Sequence, residues 1–295
     1  MSFLVRAPGK VNLSLFLGPR RPDGRHELVT LFESVSLADQ LTAVVRAHPP
    51  DVIECDELGD PNLAAVALER LRGRGWDGPP LHVQFAKRIP VAGGMGGGSA
   101  DAAAVLRLAN ELQPVPEQTM LALAAELGAD VPGQLIPGLA VGTGAGDVIH
   151  AQPPLAPHAL LLVPQPFRLS TREVYAEADR LGLPCERAEL ERKLEGLRAE
   201  LSPDGRLPES LVVNDLQPAA LALQPRVQDA IDAVRQAGAD HALVSGSGPT
   251  VFGVFWGEDG AERAAQSAAG LRDRFPELIT AVPIDAEFGE PRRTG

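Results

Sequence analysis

The sequence predicts an α+β fold in two domains, and three observations lead to that prediction. The chain has 295 residues, which suits one large or two modest domains, and 44% of them are hydrophobic, an ordinary share for a globular core. Strand-like and helix-like segments are mixed without the strict alternation of a doubly wound parallel sheet. The prolines of residues 153–157 are typical of a linker, so we expect domains over residues 1–152 and 153–295.

The first predicted strand covers residues 11–17, where every second residue is Val or Leu. The same period of two places Lys10, Asn12 and Ser14 together on the face away from the core. Three polar residues on one face can simply be solvated, or they can line a site. Lys10 follows a Pro-Gly pair that predicts a turn, and it is one of only three lysines in a chain that otherwise uses arginine.

The remaining elements are predicted from periodicity and from turn and capping signals. In the first half they are a turn at 22–25, strands near 27–37 and 40–46, a helix at 62–72, a strand at 81–89, helices at 99–112 and 117–127, and strands near 138–142 and 147–152. In the second half they are a strand at 159–163, a helix from Ser170, helices at about 187–199, 215–223 and 225–237, strands at 242–245 and 250–255, a helix at 258–274 and a strand at 278–284. Ser170 and Glu173 have the spacing of a capping box.

Residues 90–101 read Pro-Val-Ala-Gly-Gly-Met-Gly-Gly-Gly-Ser-Ala-Asp and join a predicted strand to a predicted helix. This arrangement binds phosphate, because glycines allow close approach and the helix N-terminus presents free N–H groups and a positive dipole end. The loop matches neither the P-loop nor the dinucleotide fingerprint, and protein-kinase signatures are absent. A flexible surface loop is the alternative, but such a loop need not open directly into a helix. Ser99 is the predicted N-cap.

Composition excludes several classes of partner. A net charge of −12 argues against nucleic acid and anionic membranes. Cys55 and Cys185 form neither a disulfide framework nor a zinc spacing. The N-terminus has no secretory apolar stretch, and no run of about 18 apolar residues occurs. We therefore expect a cytoplasmic enzyme that acts on a small-molecule substrate, either as a monomer or as a weak homodimer.

Three segments, in the same order along the chain, resemble the three motifs of the GHMP kinases, which include galactokinase, homoserine kinase and mevalonate kinase. They are residues 8–13 (Pro-Gly-Lys-Val-Asn-Leu), residues 90–101, and residues 244–253 (Val-Ser-Gly-Ser-Gly-Pro-Thr-Val-Phe-Gly). Together they span nearly the whole chain.

Four further features resemble those GHMP kinases that act on a cytidine-diphosphate-linked methylerythritol. They are residues 21–27 (Arg-Pro-Asp-Gly-Arg-His-Glu), 127–132 (Leu-Gly-Ala-Asp-Val-Pro), 214–219 (Asn-Asp-Leu-Gln-Pro-Ala) and the long glycine run. The resemblance implies that ATP, with Mg²⁺, phosphorylates the 2-hydroxyl of that substrate in the non-mevalonate route to isoprenoids. It also implies an ATP-binding N-terminal domain like that of ribosomal protein S5 and a ferredoxin-like C-terminal domain, with the site in the cleft between them.

The resemblance assigns catalysis to two residues. Asp130 is the base that accepts the proton of the tertiary hydroxyl, and Lys10 positions that hydroxyl and stabilises the developing negative charge. From the residues alone, Asp130 is equally an exposed carboxylate in a Gly-Ala-Asp loop. No residue is expected to be a dedicated metal ligand.

The resemblance also assigns binding residues. To the ATP phosphates it assigns Pro90, Val91, Ala92, Gly93, Gly94, Met95, Gly96, Gly97, Gly98, Ser99 and Ala100. To the substrate it assigns Asn12, Arg25, His26, Thr171 and Tyr175. Arg25 replaces a tyrosine that stacks on the cytosine in many relatives, and a guanidinium can also stack. We expect Arg25 and Tyr175 to sandwich the base, although His26 is equally an ordinary turn residue and Tyr175 a core-facing one.

Some interpretations remain open. Asp101 can cap the helix or bind Mg²⁺ through water, and we favour the cap. Another GHMP kinase, acting on a small alcohol such as homoserine, conflicts with residues 21–27 and 214–219. A non-catalytic sensor conflicts with the presence of both Lys10 and Asp130. An RNA-associated role conflicts with the negative charge.

Overall fold

The computed structural model describes residues 1–55, 62–91 and 93–295. The first half contains β1 (Ser2–Arg20), β2 (His26–Val45), β3 (Val52–Glu54), α1 (Leu63–Gly73), β4 (Leu81–Ala86), α2 (Gly97–Leu112), α3 (Glu117–Leu127), α4 (Val131–Leu135), β5 (Leu139–Thr143) and β6 (Val148–Ala151). The second half contains β7 (His158–Val163), α5 (Thr171–Leu181), α6 (Arg187–Glu200), α7 (Gln217–Leu223), α8 (Val227–Gln236), β8 (His241–Val244), β9 (Val251–Trp256), α9 (Gly260–Leu271), β10 (Ile279–Ala281) and β11 (Arg292–Arg293).

The strands form two sheets, which confirms the α+β prediction. A seven-stranded sheet has the order β11-β1-β2-β4-β3, with β5 paired to β2 and β6 to β5. A four-stranded antiparallel sheet has the order β10-β7-β9-β8. The short strand β11 comes from the second half of the chain but pairs with β1 in the first sheet. The domain boundary at 152/153 stays a prediction.

Strands β1 and β2 are longer than the sequence pattern indicates. The Pro-Gly pair before Lys10 is not a turn: it lies inside β1, at a register shift between Pro8 and Lys10. The two strands predicted near 27–37 and 40–46 are the single strand β2, whose Ala38 and Asp39 remain paired with β1. Asp39, which lies between the two predicted strands, is fully buried with partners of its own, so the ladder continues through it.

The start of helix α2 also differs from the prediction. The N-cap is Gly96, whose φ of 68° is left-handed, and no side chain caps the helix. Ser99 therefore lies within the first turn. Asp101 does not cap the helix either: it is buried and paired with Lys87. The helix N-terminus is left open instead of being closed by a side chain.

The two halves of the chain meet along the polar face of β1. The N–H of Leu15 donates to the carbonyl of Val213 at 2.8 Å, and the N–H of Asp215 donates to the carbonyl of Leu15 at 2.9 Å. Lys10, Asn12 and Ser14 are consequently buried, so the solvated interpretation of this face is wrong. Among the residues that the structure describes, no helix is both long enough and apolar enough to cross a bilayer.

A buried ion pair joins the two sheets. Nε2 of His158, on β7, lies 2.8 Å from Oε2 of Glu33, on β2, and its Nδ1 lies 2.8 Å from the carbonyl of Ala156. Both side chains are almost fully buried, and the indole of Trp256 packs on the imidazole at 4.5 Å. Burial opposes the imidazolium, but the charge of Glu33 outweighs it and raises the pKa of His158 above its ordinary value.

We expect Glu33→Gln to destabilise the protein by roughly 3 kcal/mol at pH 5.5 and by less at pH 9. With a raised pKa, the folded protein holds a proton that the unfolded chain releases. The ion pair's contribution is therefore complete below the ordinary histidine pKa of about 6.5 and is lost as the pH rises through the folded-state value. Urea denaturation of both forms at the two pH values measures the difference. Equal destabilisation at both would contradict the charged pair.

Candidate active site

A cavity of about 490 Å³ lies between the polar face of β1, residues 90–100 and helix α5. Residues 90–100 are called the glycine loop below. Sequence analysis assigned fourteen of its lining residues to the site: Lys10, Asn12, Pro90, Val91, Gly93, Gly94, Met95, Gly96, Gly97, Gly98, Ser99, Asp130, Thr171 and Tyr175. Asp130 is the only carboxylate among the described residues that line it. The cavity lining thus includes both the glycine loop at the start of α2 and an aromatic side chain, Tyr175.

Lys10 and Asp130 meet in this cavity. Nζ of Lys10 lies 3.5 Å from Oδ2 of Asp130, and the side chains are 7% and 45% exposed. The buried amine also donates to Oδ1 of Asn12 at 2.8 Å, and Nδ2 of Asn12 donates to Oγ1 of Thr30 at 2.8 Å. Thr30 in turn donates to the carbonyl of Ser14. This chain of hydrogen bonds fixes the ammonium group, while the carboxylate faces the open cavity.

Two contacts hold Lys10 and Asp130 in place. The N–H of Lys10 donates to the carbonyl of Met95 at 3.0 Å, which ties β1 to the glycine loop. Asp130 immediately precedes the one-turn helix α4, which lies directly on Phe32. A Cβ atom at Gly133 would lie 2.1 Å from Cζ of that ring, so only glycine permits the contact.

Two carbonyl groups of the glycine loop accept hydrogen bonds from the third motif, residues 244–253. The carbonyl of Gly93 accepts from the N–H of Thr250 at 3.3 Å, and the carbonyl of Gly94 accepts from Oγ of Ser245 at 3.1 Å. Gly94 has a φ of 77°, and a Cβ there would lie 2.5 Å from the carbonyl oxygen of Ser245. The loop therefore requires glycine at this position both for its backbone conformation and for close packing.

The N–H groups at the loop's end remain available. The first intrahelical bond of α2 runs from the N–H of Ala100 to the carbonyl of Gly96, at 2.8 Å. In residues 1–55, 62–91 and 93–295, no group accepts from the N–H groups of residues 96–99. Four donors at a helix N-terminus form an anion site. Ala100, expected among the phosphate-binding residues, is instead fully buried with its N–H already bonded. Ala92 lies outside the described residues.

The third motif, residues 244–253, closes the cavity beside Lys10. A Cβ at Gly246, whose φ is 56°, would lie 3.2 Å from Oδ1 of Asn12 and 3.7 Å from Nζ of Lys10. Nδ2 of Asn214 donates to the carbonyls of Val244 and Gly246 at 2.8 and 2.7 Å. Asn214 thus shapes this motif from the segment 214–219.

Sequence reasoning missed several lining residues. Ser247 bonds to Thr171 through their hydroxyl groups at 2.9 Å, and Thr30 and Lys87 also line the cavity. Ser247 belongs to a segment already singled out. The scarcity of lysine, which drew attention to Lys10, applied equally to Lys87. No sequence pattern indicated Thr30.

Tyr175 lines the cavity, whereas His26 does not line it and instead packs against the ring of Tyr175. Their rings lie 5.3 Å apart, and Nε2 of the buried His26 lies 2.7 Å from Oδ1 of Asp179. Burial, assisted by the charge of Asp130, raises the pKa of the Tyr175 hydroxyl. Arg25 does not line the cavity: it is exposed and paired with Asp23 and Asp147. To stack opposite Tyr175, as expected, Arg25 must leave these two carboxylates.

Comparison with protein families gives two matches, one in each half of the chain. The family described as GHMP kinases N terminal domain matches residues 62–138, and GHMP kinases C terminal matches residues 188–270. The glycine loop and Asp130 lie within the first match.

Curated relatives and solved structures agree. The 4-diphosphocytidyl-2-C-methyl-D-erythritol kinase of Thermobifida fusca is 42% identical over 92% of this chain and 92% of its own length, and that of Mycolicibacterium gilvum is 43% identical over 84% and 80%. A crystal structure of 4-(cytidine 5'-diphospho)-2C-methyl-D-erythritol kinase matches 95% of this chain and 98% of its own, with a TM-score of 0.76 and 31% identity.

A more distant structure shares the fold alone. Homoserine kinase from Cytophaga hutchinsonii has a TM-score of 0.69 over 99% of this chain and 96% of its own, at 18% identity. Family matches, relatives and fold point the same way: this chain belongs to the GHMP kinases and, among them, to the 4-diphosphocytidyl-2-C-methyl-D-erythritol kinase family.

Proposed function

We propose that Asp130 and Lys10 carry the phosphoryl transfer of this enzyme. The protein is an ATP-dependent kinase that phosphorylates the 2-hydroxyl of 4-diphosphocytidyl-2-C-methyl-D-erythritol, a step of the methylerythritol phosphate route to isoprenoid precursors. The observation that supports these roles is the 3.5 Å separation of the two side chains inside the cavity that also receives the free N–H groups of the glycine loop.

Asp130 and Lys10 act on the acceptor hydroxyl. A tertiary hydroxyl is a weak nucleophile, and Oδ2 of Asp130 accepts its proton as the oxygen attacks. The ammonium of Lys10, held by Asn12, stabilises the negative charge that develops on the same oxygen. Because both groups are fixed before the substrate arrives, little reorganisation is needed during the reaction.

The donor end holds the phosphates. The N–H groups of residues 96–99 and the positive end of the α2 dipole bind the transferring group, and the hydroxyl of Ser99 adds a further donor. The enzyme uses ATP with Mg²⁺, which neutralises charge on the phosphate oxygens. The hydroxyl oxygen of Ser99 would hold the ion together with the phosphates. This fits the usual binding of Mg²⁺ through few protein ligands.

The substrate occupies the remaining length of the cavity. Asn12 and Thr171 contact the methylerythritol or its phosphates, and Tyr175 and His26 contact the cytosine. Arg25 stacks on the opposite face of the base after leaving Asp23 and Asp147. The cavity lining includes Asn12, Thr171 and Tyr175, which supports the assignment of these three residues, whereas His26 and Arg25 do not line it.

Tyr175→Ala should raise the KM for the cytidyl substrate at least about fivefold, because one aromatic stacking contact contributes roughly 1–3 kcal/mol. The KM for ATP should stay within twofold, since we assign the binding of the ATP phosphates to residues 96–99 and not to Tyr175. Steady-state kinetics with each substrate varied in turn makes this measurement. An unchanged KM for the cytidyl substrate would remove Tyr175 from the base site, and Arg25→Ala tests the other side of the sandwich in the same assay.

The substrate assignment is tested by turnover. ATP consumption should be rapid with the cytidyl substrate and negligible with homoserine or mevalonate at the same concentration. Turnover of homoserine instead would overturn the assignment.

We further propose that the enzyme acts in the cytoplasm as a monomer or weak homodimer, without nucleic-acid or membrane partners. The net charge of −12 supports the absence of polyanionic partners. Sedimentation equilibrium measures the oligomeric state.

A further inference from the structure

Asp39 is a fully buried carboxylate on β2, beneath the entry to the glycine loop. Its Oδ1 accepts the N–H groups of Arg88 and Ile89, at 2.5 and 2.9 Å. Its Oδ2 accepts from Nζ of Lys87. All three donors belong to residues 87–89, which follow β4 directly and precede Pro90. One side chain therefore fixes the last residues before the loop.

Lys87 extends this contact to the far end of the loop. Its Nζ also donates to Oδ2 of Asp101 at 2.5 Å, and Asp101 lies in the second turn of α2, directly after the loop. The side chains of Lys87, Asp39 and Asp101 are 3%, 0% and 2% exposed. Burial alone would lower the pKa of Lys87, but the two carboxylates raise it above its ordinary value, so the lysine stays charged.

The loop needs such a constraint. Glycine loses more conformational freedom on ordering than any other residue, and five of the six residues from Gly93 to Gly98 are glycine. If the loop became ordered only when the nucleotide binds, the entropy cost of ordering it would weaken nucleotide binding. The hydrogen bonds from Thr250 and Ser245 hold Gly93 and Gly94 within the loop, but they do not hold its two ends.

We propose that Asp39 is a positioning residue for the nucleotide: through residues 87–89 and the Lys87–Asp101 bridge it holds both ends of the phosphate-binding loop in the nucleotide-binding conformation. The inference rests on the proposed function only in that the ligand of the loop is ATP. Asp39 touches no substrate and acts through the loop.

The alternative is that the network merely stabilises the sheet, and a second carboxylate separates the two roles. Oδ1 of Asp51 accepts the N–H of Leu81 at 2.8 Å, at the opposite end of the same strand β4, and Asp51 pairs with Arg72 as Asp39 does with Lys87. Asp51→Asn should therefore destabilise the same strand without reaching the loop.

The test is calorimetric titration of ADP, with magnesium, into Asp39→Asn, Asp51→Asn and the unsubstituted enzyme, together with KM values for both substrates. We expect Asp39→Asn to raise the Kd of ADP and the KM of ATP at least tenfold, while the KM of the cytidyl substrate stays within twofold. Asp51→Asn should leave all three within twofold at a temperature where every variant is folded. An unchanged Kd in Asp39→Asn, or an equal rise in Asp51→Asn, would overturn the proposal.

Asp101→Asn provides a second variant in case Asp39→Asn does not fold. It leaves the N–H contacts of Asp39 intact and weakens only the bridge to α2, so we expect a rise of about threefold in the Kd of ADP. No rise would contradict the role of the bridge. Because ADP binding is measured without the acceptor, a wrong acceptor assignment would leave this test valid and would appear only in the turnover assay.

Discussion

Asp130→Asn should lower kcat at least about 10²-fold while ADP binds as before, since general-base catalysis contributes typically 10²–10⁴-fold. An amide keeps the size of the side chain but cannot accept the hydroxyl proton. Its nearest charged partner, Lys10, is held independently by Asn12, so the amine should stay in place. Single-turnover kinetics and ADP titration measure the two quantities separately.

Asp240→Asn is the matched control for that change. Asp240 pairs with Arg263 at 3.1 Å and is 36% exposed, much like Asp130 with Lys10, but it does not line the cavity. We expect its kcat to stay within twofold of the unsubstituted enzyme. Near-normal turnover in Asp130→Asn would refute the base assignment and would leave Lys10 as the main group acting on the acceptor.

Lys10→Met should lower kcat by roughly 10²–10³-fold, the loss seen when one fixed donor to a developing oxyanion is removed. Met replaces the stem of the side chain without its charge, so β1 and the bond from the N–H of Lys10 to Met95 should persist. The Kd of ADP should change little, because the backbone of residues 96–99 grips the phosphates. Rapid-quench measurement of the phosphorylated product gives the rate of the chemical step.

Lys193→Met controls for the loss of a lysine. Lys193 is 28% exposed on α6, pairs with Asp215 and Glu189, and lies outside the cavity. Full activity in that variant is expected. If Lys10→Met instead lost ADP binding and kept its rate of chemistry, the lysine would be a nucleotide contact and not a stabiliser of the acceptor oxygen.

The sequence predicted the kind of fold well but not the length of its central strands. Alternating apolar residues located β1, and turn residues located most helix boundaries. The pattern broke at Lys10 and at Asp39 because periodicity treats a charged residue as solvated. Both are buried, since Asn12 and Asp130 meet the first and Lys87 meets the second, and such partners are distant in sequence and invisible to a local pattern.

The site residues were predicted from motifs, and the errors in that prediction have a common cause. The resemblance brought together Lys10 and Asp130, which are 120 residues apart and have no local signal for each other. Serine commonly caps a helix N-terminus, which is why the sequence predicts Ser99 at that position. In the structure no side chain caps the helix, and the cap position is a left-handed glycine. Local propensity describes stable helix ends, and a binding site departs from it.

The N–H groups of residues 96–99, which we propose bind the donor phosphates, belong to the main chain, and this has a consequence for inhibitors. No side-chain substitution can delete such a group, short of introducing proline. At Gly94 the φ of 77° and the nearby carbonyl of Ser245 disfavour any other residue. A compound that binds residues 96–99 would therefore meet few mutational routes to resistance. One that depends on the exposed side chain of Arg25 would lose that contact through a single substitution.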